Sequence, residues 1–116
     1  MSYNEKKENE EFFYSVINDL GHYGWKLEWY KDDSHEGYCW HHNKTINIGP
    51  ATENVKLLIL HEIAHIDTCL GHGNKHEKEF WQQYEKLLKK YLPGVELPDY
   101  DKYHKSLYVT EGVEND

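Results

Sequence analysis

Apolar residues recur at helical spacing along the first twenty positions. Phe12, Phe13, Val16, Ile17 and Leu20 share one side of a helix over residues 4–20, and Gly21 is placed to end it. Trp25, Leu27 and Trp29 then alternate with polar residues, the period of a half-buried strand. A polar loop over 31–36 leads to two short runs, 38–42 and 45–48, which pair as a hairpin around Asn43-Lys44. From Val55 the pattern changes. Leu57, Leu58, Ile59, Leu60, Ile63, Ala64, Ile66, Cys69 and Leu70 put apolar groups on nearly every side of a helix, so this helix runs through the core. Thr52 reads as its N-cap and Gly71 as its stop, about five turns later. Phe80, Trp81, Tyr84, Leu87, Leu88 and Tyr91 form one stripe of a further helix over 75–91. After Leu92-Pro93-Gly94 regularity fades. The pattern predicts one α+β domain over residues 1–111, with 112–116 a frayed tail.

Inside the buried helix stands His61-Glu62-Ile63-Ala64-His65. Histidines four apart project from one helix face, one turn above the other, so both rings can reach a single cation. Glu62 points off that pair by one residue, near enough to touch a metal-bound water without being a ligand. This is the arrangement a zinc peptidase uses: two imidazoles hold the metal and the carboxylate takes a proton from its water. Imidazoles and a carboxylate in an apolar helix are costly unless something satisfies them, and a metal would satisfy all three. A zinc site needs a third protein ligand. His76 lies one turn before Phe80 on the stripe side of the next helix, facing the motif helix; His72 lies in the turn between. Glu77 and Glu79 are carboxylate alternatives, whereas Gly71 stands where a longer metzincin motif would need its third histidine.

His61-Glu62-Ile63-Ala64-His65, then Gly71-His72-Gly73, then His76 four residues before Phe80-Trp81, resembles the SprT-like and YgjP-like group of small zinc peptidases. Gly37-Tyr38-Cys39-Trp40 and Thr45-Ile46-Asn47-Ile48 resemble that group's strand pair ahead of the active-site helix, so the likeness covers roughly residues 25–91. It implies Zn2+ as cofactor, His61, His65 and His76 as ligands, and Glu62 as general base. It also implies a minimal zincin-like domain: an N-terminal helix, a small three-stranded sheet, the HExxH helix, and a following helix that carries the third ligand. An exposed sheet edge would bind an extended peptide by strand addition. His72 departs from the pattern and leaves the third ligand open between two histidines. The cysteine-rich zinc ribbon of some longer SprT-like proteins has no counterpart.

Composition narrows the partners. Thirteen Lys and Arg against 21 Asp and Glu give a formal charge of −8, which argues against strong autonomous nucleic-acid binding. Lys86, Lys89 and Lys90 form the one basic cluster and read as a solvated face. Cys39 and Cys69 are too few for a disulfide framework and read as buried thiols of a reducing cytosol. A charged N-terminus and no long apolar run predict a soluble, cytoplasmic protein without a membrane partner, with a monomer favoured. The substrate would be a protein or peptide. Two other functions fit the same residues: a zinc-stabilised, non-catalytic protein-binding or regulatory domain, and a protease brought to DNA-bound proteins by a partner. Tyr103 and His104 are candidates for stabilising the oxyanion. His22, His35, His41 and His42 read as surface or hydrogen-bonded residues, with His41 and His42 alternating on a strand.

Overall fold

The computed structural model describes residues 2–68 and 77–108. Within them the chain is an α+β fold of four helices and one three-stranded mixed sheet. Helix α1, Tyr3–Leu20, starts with a reciprocal cap. The Ser2 hydroxyl accepts from the Glu5 N–H at 3.2 Å, and the Glu5 carboxylate accepts from the Ser2 N–H at 3.0 Å. It ends as the sequence predicts, at Gly21 with φ 77°, a left-handed conformation that glycine adopts without steric cost. Phe13, Val16 and Ile17 form its buried face.

The sheet runs β1-β3-β2, from β1, Lys26–Trp29, β2, Gly37–Trp40, and β3, Thr45–Ile48. The predicted hairpin is present: β2 and β3 are antiparallel, with Gly37 opposite Ile48 and Trp40 opposite Thr45. Strand β2 stops two residues earlier than expected. His41–Asn43 turn into a short 3-10 helix and Lys44 takes φ 54°, so neither His41 nor His42 is on a strand. Strand β1 joins the other side of β3 in parallel. Its outer side is occupied by α1: the Tyr14 hydroxyl accepts from the Leu27 N–H at 3.2 Å, and the Trp29 indole donates to Glu10 at 2.8 Å. Strand β2 is the opposite edge.

Helix α2, Val55–Thr68, lies under the sheet and is buried almost throughout, as its pattern predicts. Its cap differs from the expectation. Asn54, not Thr52, accepts from the Leu57 N–H through its side chain at 3.1 Å. Thr52 instead donates to the His35 carbonyl at 3.0 Å and ties the β1–β2 loop to the start of the helix. The expected stop at Gly71 lies outside the described residues.

Helix α3, Lys78–Tyr91, packs its stripe of Phe80, Trp81, Tyr84, Leu87 and Leu88 against α2. An ion pair from Lys90 to Asp19, 2.9 Å, joins its end to α1. The fading regularity after Gly94 conceals a further helix, α4, Asp99–Ser106. Its residues are mostly polar and show no apolar stripe, but Lys105 is buried against Glu85 of α3 in a close ion pair. Tertiary contact, rather than local pattern, holds that helix. Cys39 is buried on the inner face of β2, as expected, and Cys69 lies outside the described residues. No described helix is long and apolar enough to cross a membrane.

Asn54 tests the start of the central helix. Replacing it with Ala removes the side-chain cap, and stability in urea should fall by about 1 kcal/mol. Thr52→Ala, at the position expected from sequence alone, should leave the α2 cap intact.

Candidate metal centre

The helical spacing brings the motif residues to one place. The His61 and His65 rings lie 5.3 Å apart between centroids on one face of α2. Aromatic side chains of α3 hold them. His65 stacks on Phe80 at 4.4 Å, and His61 meets the rings of Phe80 at 4.9 Å and Tyr84 at 5.2 Å. His65 is 1% exposed, and the His61 side chain retains 15%. Tyr84 is itself fixed, donating its hydroxyl proton to the Leu57 carbonyl at 3.2 Å.

Glu62 is 3% exposed, and its Oε2 stands 4.0 Å from His61 Nε2. Among the described residues its Oε1 has no hydrogen-bond partner. A buried carboxylate without donors is a costly group, and burial pushes its pKa up to about 8. Two phenols feel its charge. Burial raises the Tyr30 pKa, and the carboxylates of Glu36, Glu62 and Asp32 and the Tyr38 phenol add to the rise. Tyr84 is pushed up by burial, then by Asp101 and Glu62.

Two of the histidines read from the sequence as surface or hydrogen-bonded residues do make hydrogen bonds, and both reach the same helix. His41 donates from Nε2 to the backbone carbonyl of His65 at 2.9 Å. That carbonyl belongs to the last described turn of α2, so the 3-10 turn that follows β2 is tied to the helix at His65. His22, just past α1, meets Asp67 at 3.2 Å. His41 and His22 gave no sequence signal because both contacts arise from segments far apart in the chain. Tyr30 was missed for the same reason.

Other candidates fall elsewhere. Tyr103 is 64% exposed on α4, with its ring against His104. Glu77 and Glu79 are exposed, and Lys86, Lys89 and Lys90 are exposed as expected. His72 and His76, between which the third ligand was left open, lie outside the described residues. Among the described residues, no group of three or more His, Cys, Asp or Glu side chains could hold a metal ion. The described centre therefore comprises two imidazoles and one buried, unpaired carboxylate oxygen. That donor chemistry fits a zinc ion, which the two imidazoles would help to hold and whose bound water the carboxylate could serve as a base. Comparison of the chain with protein families, with curated proteins and with solved structures finds no match.

The raised pKa of Glu62 has a signed consequence for the metal-free protein. The folded state keeps a proton on Glu62 up to about pH 8, whereas the unfolded chain loses it near the ordinary carboxylate value of 4.5. Folding stability is therefore full below that lower value, falls as pH rises through the window, and levels above it. Glu62→Gln removes this dependence. With chelator present, thermal denaturation should place the variant above the parent at pH 8.5 by roughly 4 °C or more, with the gap narrowing towards pH 5.

Proposed function

We propose that the protein is a zinc-dependent metallopeptidase that hydrolyses peptide bonds in protein substrates. The observation that carries this reading is Glu62: a carboxylate buried in an apolar helix, beside two histidines on one face, with Oε1 unpaired among the described residues. Structural burial alone gives such a group no reason to exist, whereas a catalytic base is tuned by this kind of desolvation. His61 and His65 supply two nitrogen ligands and His76 the third, in a minimal zincin-like domain of the SprT-like kind. Bound zinc would supply Lewis acidity and bring the ionisation of a coordinated water near neutrality.

The chain's own residues do the rest. Phe80 and Tyr84 hold the imidazole rings in their orientations from α3. His41 holds the end of α2 through the His65 carbonyl. Glu62 accepts a proton from the attacking water and returns it to the leaving amine. The carbonyl oxygen needs a donor as it gains charge. Of the phenols that feel the charge of Glu62, Tyr30 lies at the end of β1 and is not wholly buried, so it can meet a substrate. Strand β2 is an edge, and its first residue, Gly37, lies against Glu62. An extended peptide added to that edge would run past the carboxylate. The substrate would be a protein or peptide, and with a charge of −8 the protein would depend on a partner for any work near DNA.

Metal content by mass spectrometry tests the reading directly. About one zinc per chain is expected, kept by His72→Ala and lost with His61→Ala or His76→Ala. Glu62→Gln should keep the metal and abolish cleavage. Protein that takes up no zinc on reconstitution, or a Glu62→Gln variant with full activity, would remove the proposal.

A further inference from the structure

Gly37 opens strand β2, where a glycine costs stability unless something requires it. Its φ is not in the left-handed region, so backbone freedom is not the requirement. Space is. A Cβ added there would stand 2.9 Å from Glu62 Oε2, 3.1 Å from Glu62 Cγ and 3.1 Å from Leu58 Cδ1. These neighbours are side chains. At Gly49, by contrast, a Cβ would meet the Ser34 carbonyl oxygen at 2.1 Å, a backbone clash that only a change of chain path relieves. Two glycines of one sheet region thus do different work: Gly49 lets two backbone segments cross, and Gly37 leaves room for a carboxylate.

We propose that Gly37 is the positioning residue for Glu62: by presenting no side chain, edge strand β2 forms the wall that holds the carboxylate beside His61. Glu62 is buried, with apolar Ile63 and Ala64 after it in the chain and the His61 ring next to it. An added methyl group would not break the strand, because its backbone conformation suits any residue. It would displace the softest neighbour, the end of the Glu62 side chain, and swing the carboxylate away from the strand. Leu58, half-buried, would yield by a few tenths of an ångström at its terminal methyl. Gly37 therefore sets where the carboxylate stands without touching substrate or metal. Its role in catalysis rests on the metallopeptidase reading; its role in placing the carboxylate does not.

Two measurements on the full chain separate these. The first is a metal-free stability cycle over Gly37→Ala, Glu62→Ala and the double variant. Gly37→Ala should fold, with an unchanged far-ultraviolet circular dichroism spectrum, and lower the Tm. In the Glu62→Ala background that loss should shrink to roughly half or less, because residues in contact are not additive. An equal loss in both backgrounds would overturn the proposal, since the methyl group would then be straining something other than Glu62. The second is the visible spectrum of the Co2+-substituted protein, which reports the metal's surroundings. Gly37→Ala should bind Co2+ at parental stoichiometry with its bands moved in the direction that Glu62→Ala moves them, and the double variant should show no further movement. Parental bands in Gly37→Ala would overturn the positioning role. Failure of the parent itself to take up Co2+ would sink the metallopeptidase reading, and the stability cycle would still decide whether Gly37 places the carboxylate.

Discussion

Burial of the Glu62 carboxylate is the constraint around which the centre is arranged. Helix α2 is lined by apolar side chains because it lies between the sheet and α3, and that position takes water away from any polar group it carries. A carboxylate there is held proton-bound to about pH 8 in the metal-free protein. The same desolvation strengthens any electrostatic contact the carboxylate makes with a cation or a reacting water. The cost of burial and the chemical usefulness of the group have one origin.

The surrounding elements act as walls of that site. From below, α3 stacks Phe80 on His65 and sets Tyr84 against His61, so neither imidazole is left to choose its own rotamer. From above, β2 lays a glycine on the carboxylate, and the 3-10 turn that follows sends His41 to the last turn of α2. Helix α1 acts at a distance. By accepting hydrogen bonds from β1 at Tyr14 and Glu10, it covers one margin of the sheet, and β2, which carries Gly37 against Glu62, forms the other. A small domain can thus carry a directional sheet without presenting two equivalent edges.

Much of this was legible in the order of residues. Three of the four described helices and the hairpin announced themselves by period, because each buries one face or, in α2, nearly all of it. The pairing of His61 with His65 was equally legible, since a spacing of four fixes a common face in any α-helix. Other features were not. Helix α4 has no apolar stripe and depends on the ion pair of buried Lys105 with the part-exposed Glu85, a contact between separate elements. The start of α2 passed from Thr52 to Asn54 because both are good caps, and loop geometry drew the Thr52 hydroxyl to His35. His41 looked like a strand residue until the turn removed it from the ladder.

What the sequence by itself determined is therefore local: which segments are helical or extended, which faces are apolar, and that two histidines and a glutamate share a turn of a buried helix. These follow from periodicity and side-chain chemistry, which act over a few residues. Tertiary structure decided which sheet margin α1 covers, which phenols feel the carboxylate, and what Gly37 stands against. Each of those depends on residues distant in the chain being brought within a few ångströms. Only the packing of α2 between sheet and helix determines that distance.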